Sequence, residues 1–162
     1  IKNLYMLDNP GKPHIGNLMV KYGYASDRDE AIKEYINKID YPVSYLRPEE
    51  AIDAIRRSGG VSVLAHPFFG SGDQYIKGKE LDERIARLRD FGLEGVEAYY
   101  SQFTESMRLE ILSYAKKYHL YVSAGSDYHG RNRSVSIGET HLDNANNGVA
   151  GLHRFLERIL EV

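Results

Sequence analysis

The feature that most constrains this chain is an alternation over residues 47–162. Short apolar runs of strand length are separated by stretches with helical periodicity. The runs are residues 61–65 (Val-Ser-Val-Leu-Ala), 95–99 (Gly-Val-Glu-Ala-Tyr) and 120–124 (Leu-Tyr-Val-Ser-Ala). Between them Leu81, Ile85 and Leu88, then Met107, Ile111, Leu112 and Ala115, recur every three or four residues. Strands joined by helices of this length form βαβ units and a parallel sheet. A continuous apolar run, rather than strict alternation, suits a strand covered on both faces. A helix opened by Pro48, striped by Ala51, Ile52 and Ile55 and ended by Gly59-Gly60 precedes the first run. Thr104 is placed to cap the helix after the second. Ile137 starts a fourth short strand, and Leu152, Phe155, Leu156 and Ile159 mark a last helix.

Residues 1–46 read differently, as a small helical segment. A turn-rich stretch, Asp8-Asn9-Pro10-Gly11-Lys12-Pro13, leads into a short helix over 14–22, stopped by Gly23. Ser26 is the expected N-cap of a second helix, with Asp29 three residues on and Ala31, Ile32, Tyr35, Ile36 and Ile39 as its stripe. Residues 41–45 form an extended connection. The 162 residues suffice for one domain, yet fall short of the roughly 200 of a closed (β/α) barrel. The first residue is Ile1, which leaves open that the chain is a piece of a longer protein.

Composition removes several function classes. The formal net charge of −2 gives no global case for nucleic acid or an anionic membrane as partner. There is no cysteine, so disulfides and thiolate metal sites are excluded. No apolar run approaches the ~18 residues of a membrane span, and no leader is visible at the start. The expectation is a cytoplasmic protein.

Parallel α/β sheets carry their chemistry beyond the C-terminal strand ends. His66 follows the first run directly, and Asp127 and His129 follow the third. A carboxylate and an imidazole two residues apart in a turning segment suit Zn²⁺, Mn²⁺ or Fe²⁺. A capping Asp and a surface His remain an equal alternative. Pro67 restricts His66 to an extended conformation, which holds it rigidly at the strand end; a half-buried, satisfied histidine is the plainer reading. Lys12 and His14 stand at a helix start, where free N–H groups favour an anion, although a solvated turn also accounts for them. Glu97, inside a buried run, needs a partner: a ligand histidine that it orients, or a neighbouring helix. Ser126 lacks the glycine spacing of a nucleophile elbow and suits a loop hydroxyl on backbone or phosphate. Arg131 and Arg133 flank the Asp-x-His loop, with solvent as their default environment. His119, His141 and His153 read as surface residues.

Four segments then carry a resemblance. Gly59-Gly60-Val61-Ser62-Val63-Leu64-Ala65-His66-Pro67 resembles the third motif of the PHP (polymerase and histidinol phosphatase) family. Gly125-Ser126-Asp127-Tyr128-His129-Gly130 resembles the fourth. Gly92-Leu93-Glu94-Gly95-Val96-Glu97-Ala98-Tyr99 resembles the strand between them, and Gly11-Lys12-Pro13-His14-Ile15 the G-R-P-H segment of the phosphatase branch. That branch contains 3′,5′-nucleoside bisphosphate phosphatases and 5′-to-3′ exoribonucleases. The resemblance implies an α/β fold: the C-terminal βα units (residues 47–162) of an incomplete, distorted (β/α)7 barrel, plus a small inserted helical cap (residues 1–46). It implies divalent metals (Mn, Fe or Zn, up to three in the whole protein) held in part by His66, Asp127 and His129. It gives Lys12 and His14 to substrate phosphate and Glu97 and Ser126 to the surroundings of the ligands, with no catalytic residue beyond the metal ligands. The implied activity is hydrolysis of phosphate esters of nucleotides or short RNA or DNA by metal-activated water.

The departures matter as much. No H-x-H occurs in the chain, so the family's opening ligands are absent, and Lys12 replaces an arginine and loses its bidentate fork. The expectation is therefore a C-terminal piece of a phosphoesterase, itself inactive or nearly so, with open sheet edges that favour self-association. A degenerate binding or regulatory module, and another (β/α)-barrel metal hydrolase such as an amidohydrolase, are the alternatives.

Overall fold

The computed structural model describes residues 4, 11–40, 45–70, 74–130, 133–142 and 149–160. The turn expected at 8–10, most of the connection at 41–45, and Arg131 lie outside them. The chain divides into two compact units, Ile1–Tyr45 and Leu46–Val162.

In the first unit, helix α1 spans Lys12–Lys21, with Pro13 in its first turn, and Gly23 beyond it adopts φ 74°. Helix α2 (Arg28–Glu30) is a single turn that runs on as a π-helical turn, Ala31–Tyr35, and a 3-10 turn, Ile36–Lys38. Its cap is Asp27 rather than Ser26: the Asp27 carboxylate accepts the Glu30 N–H at 2.8 Å. Ser26 sits one residue earlier and donates its own N–H to Glu30 Oε2 at 2.7 Å. Ser and Asp both cap well, and only the register of the first turn separates them.

The second unit contains α3 (Pro48–Arg57), β1 (Val63–Leu64), α4 (Gly78–Asp90), β2 (Gly95–Tyr100), α5 (Glu105–Lys117), β3 (Tyr121–Gly125) and α6 (Val149–Leu160). The strands form one parallel sheet in the order β1-β2-β3, the sequential order of a βαβαβ chain. Residues predicted for α4 and α5 behave as read: Leu81, Ile85 and Leu88 are buried, as are Ile111 and Ala115. Burying each large apolar side chain contributes about 1.5–3 kcal/mol. Thr104 does cap α5, its Oγ1 accepting the Met107 N–H at 3.3 Å. Strand β2 is central, and all six of its residues are buried. Its ladder with β3 shifts register between Glu97 and Tyr99, leaving Ala98 as an extra residue, a β-bulge. Helices α4 and α5 are tied by Asp82, which accepts from Lys117 Nζ at 2.7 Å and Tyr118 Oη at 2.7 Å.

In this unit two strand expectations fail. Strand β1 pairs only over Val63–Leu64, because the chain turns away at His66. Ile137 is 78% exposed in a turn and starts no strand. A lone apolar residue followed by glycine lacks the run needed to sit in a sheet.

Candidate functional site

Three loops leave the C-terminal ends of the strands, and Tyr100, the last residue of β2, stands between them. Its ring centroid lies 5.6 Å from that of His66, just past β1. Its hydroxyl donates to Asp127 Oδ2 at 3.2 Å, just past β3. His129 turns back onto Asp127, with Nδ1 2.7 Å from the Asp127 carbonyl oxygen and 3.4 Å from Oδ1. Of the three residues singled out by the strand-end rule, His66 and Asp127 therefore flank one tyrosine that the sequence reading passed over, and His129 rests against Asp127. A tyrosine closing a buried strand was the available signal, since a buried Tyr hydroxyl needs a partner.

The backbone here is unusual. His66 has φ 30° and Asp127 φ 53°, both in the left-handed region. The extended conformation expected for His66 ahead of Pro67 is thus wrong. The proline bias against helical backbone is outweighed by a hydrogen bond: the His66 N–H donates to Glu97 Oε2 at 2.8 Å. Left-handed backbone at a non-glycine residue costs of the order of 1–3 kcal/mol and clusters at functional sites.

Glu97 has its partner, but it is the backbone of His66 and not an imidazole. Burial pushes the Glu97 carboxyl above the usual range, and the His66 N–H opposes this by favouring the charged form. A Cβ on Gly125 would collide with Glu97 Oε1, so glycine at this position lets the carboxylate span from the end of β1 to the end of β3. Ser126 contributes its carbonyl oxygen, which accepts from Ser101 Oγ at 3.1 Å. Arg133 is not solvent-facing: its guanidinium is paired with Asp127 Oδ2 and lies 5.8 Å from the Tyr100 ring centroid.

The donor chemistry fits a divalent cation. His66 Nδ1 is buried with no partner among the described residues, an orphaned nitrogen of ligand type. In the neutral ring, donation from His129 Nδ1 to a carbonyl leaves the lone pair on Nε2, the usual arrangement behind a ligand histidine. The set is incomplete as it stands. Among the described residues, no three of His, Cys, Asp and Glu are grouped to hold a metal ion. The guanidinium of Arg133 supplies the positive charge at Asp127.

Lys12 and His14 belong to the first unit. His14 Nδ1 accepts the Gly11 N–H at 3.0 Å, so the ring closes the start of α1. Lys12 Nζ donates to Asn37 Oδ1 at 2.7 Å. Both side chains hold that unit together, whatever else they bind. No described helix is long and apolar enough to cross a membrane.

No family model matches the chain. Over 119 residues it is 32% identical to the 5′-3′ exoribonuclease Rnm of Escherichia coli, a match covering 72% of this chain and 39% of that one. It is 28% identical over 131 residues to the 3′,5′-nucleoside bisphosphate phosphatase of Chromobacterium violaceum, covering 75% and 44%. The chain thus spans about two fifths of the length of these curated relatives. Among solved structures it is similar to a protein assigned as a metal-dependent phosphoesterase from Bifidobacterium adolescentis. There the TM-score is 0.70 with 25% identity, over 91% of this chain and half of that one. An amidohydrolase from Chromobacterium violaceum, solved with bound sulfate and no metal, shares the fold at TM-score 0.63 and 24% identity, over 79% of this chain and 46% of that one. The parallel sheet, the His-Pro and Asp-x-His loops at its C-terminal rim and these relatives agree with the resemblance: the chain matches the C-terminal portion of PHP-family phosphoesterases.

Proposed function

We propose that this chain is the late half of a phosphoesterase site, acting in the complete protein on phosphate esters of nucleotides or short nucleic acids. The observation that carries the reading is that His66 and Asp127 meet at Tyr100 on one rim of the parallel sheet, with His129 against Asp127. Residues 1–46 are the helical cap, residues 47–162 the barrel units, and Lys12 and His14 the phosphate contacts from the cap. Divalent cations, Mn, Fe or Zn, when bound, lower the pKa of a water and stabilise charge on phosphoryl oxygens. His66, Asp127 and His129 hold them, with further ligands from the part of the relatives this chain does not span.

The chain's own groups prepare those ligands. Tyr100 and Arg133 fix the Asp127 carboxylate, and the Asp127 carbonyl fixes the His129 ring. Glu97 holds the His66 backbone in its left-handed turn. Arg133, beside Asp127, would offer a guanidinium fork suited to a phosphoryl oxygen.

The test is made on the complete protein with Mn²⁺ and a 3′,5′-bisphosphorylated nucleoside. His66→Ala and Asp127→Ala should each lower turnover by more than about 100-fold and reduce bound metal, since even outer partners of ligands are worth about 10–100-fold. The 162-residue polypeptide by itself should show no robust turnover. Full activity in both variants, or hydrolysis of amides in place of phosphate esters, overturns the reading. Association of the isolated polypeptide through the free edge of its sheet is the companion proposal, and a monomer by light scattering counts against it.

A further inference from the structure

Beside the strand end, a second pocket of about 270 Å³ opens between β2, the start of α5 and residues 140–141. Tyr99, Phe103, Thr104, Arg108 and His141 line it, and Tyr100 is its only wall in common with the metal-ligand cluster. Two polar atoms on this wall are buried and have no partner among the described residues: the Tyr99 hydroxyl and Arg108 Nε. Tyr99 is 1% exposed. The Arg108 guanidinium carbon lies 5.8 Å from the Tyr99 ring centroid, so the two side chains that carry these donors are neighbours. A buried donor without an acceptor costs about 1–3 kcal/mol, and two side by side define a place that lacks an acceptor.

Further donors converge there. Thr104 is the N-cap of the 13-residue α5 and satisfies the Met107 N–H, while the Glu105 and Ser106 amides precede the first intrahelical bond. Such amides carry the positive end of the helix dipole. The one carboxylate lining the pocket is Glu105, which reaches Arg108 Nη2 at 3.3 Å from a side chain that is 77% exposed. An ion pair this open to water is weak and easily displaced. His141 is already engaged, its Nε2 2.8 Å from the Ser101 carbonyl oxygen. Burial keeps the Tyr99 hydroxyl protonated well past neutral pH, so it remains a donor. A water molecule could accept from either orphan but would add no charge to that of the exposed Glu105 opposite the guanidinium.

We propose that this pocket binds a tetrahedral oxyanion, a phosphate group either free or carried on a nucleotide, through Tyr99, Arg108 and the first amides of α5. The ligand set does not include His66, Asp127 or His129, and the proposal does not depend on their role.

The probe is inorganic phosphate, titrated into the chain in metal-free buffer and followed by calorimetry and by the amide NMR shifts of Glu105, Ser106 and Met107. Saturable binding with shifts at those amides is expected. Tyr99→Phe, which keeps the ring, should weaken it about fivefold, the value of one hydrogen bond. Arg108→Gln should weaken it by more than about tenfold, since a charge-assisted contact is lost. Glu105→Gln should tighten it about twofold by removing the competing carboxylate. If Arg108→Gln fails to fold, the opposite signs of the other two variants still decide the matter. A parallel titration with AMP identifies the source: equal or tighter binding at the same amides means a carried phosphate, and no binding means the free ion. Absence of saturable shifts up to about 50 mM phosphate, or equal affinity in all three variants, overturns the proposal. Because metal is absent and the three candidate ligands are untouched, failure here leaves the phosphoesterase reading standing, and the reverse also holds.

Discussion

The two ends of the β1-β2-β3 sheet are built on opposite principles. At the N-terminal end the chain solves one problem three times. Helices α3, α4 and α5 each stop at a left-handed residue, Gly59 (φ 83°), Gly92 (φ 100°) and His119 (φ 55°). In each, the next N–H reaches back five residues: Gly60 to Ile55 at 3.0 Å, Leu93 to Leu88 at 3.0 Å and Leu120 to Ala115 at 2.8 Å. This is the Schellman closure, and it satisfies carbonyls that would otherwise be left open. At the C-terminal end no two loops are alike. Left-handed backbone falls on His66 and Asp127, one imidazole nitrogen is unpartnered, and a carboxyl is held against its preference. Repetition marks the end that stabilises the fold, and irregularity marks the end where chemistry is expected.

The contrast is open to attack, beginning at the irregular end. Gly125→Ala forces Glu97 off its seat between two strand ends. It should cost about 2–3 kcal/mol in urea unfolding, as overpacking does. An unchanged midpoint would mean that Glu97 relaxes freely and that the rim is not rigid. Next comes the repetitive end, where His119 stands in a glycine role. His119→Gly should gain about 1 kcal/mol by relieving the left-handed penalty, less a little backbone entropy. A loss of stability would show that the exposed imidazole does more than end a helix.

The smallest effect concerns Glu97 and pH. Its folded pKa is raised, so the folded state keeps a proton that the unfolded state has already lost. Wild-type stability should therefore fall as pH rises from the ordinary glutamate value to the raised one, then level off. Glu97→Gln still offers an oxygen to the His66 N–H and should be flat across that window. A parallel fall in both proteins would move the pH dependence to other groups.

Much of the repetitive end can be read from residue order alone. Leu81, Ile85 and Leu88 give α4, Gly59-Gly60 gives the stop of α3 and Gly92 that of α4, because each rule involves neighbours a few residues apart. The irregular end resists for the same reason. That Glu97 bonds the His66 backbone, 31 residues away, depends on strand register. That Arg133 turns inward onto Asp127 depends on the path of a loop. In the first unit the stripe from Ala31 to Ile36 reads as plain α-helix, but the chain passes through π and 3-10 turns, a difference of one residue per turn that apolar spacing does not resolve. The distinction between Ser26 and Asp27 as cap is equally beyond pattern, since both residue types suit the position.

The extra residue in the middle of β2 has its own consequence. In an unbroken strand, positions 97 and 99 would point one way and 98 and 100 the other. With Ala98 inserted, the parity flips: Glu97 and Tyr100 both serve the rim that holds His66 and Asp127, while Tyr99 is turned toward Arg108 on α5. Pairing Ala98 into an unbroken ladder would exchange the neighbourhoods of the two tyrosines, so a single bulged residue decides which phenol supports the aspartate and which is turned toward a helix.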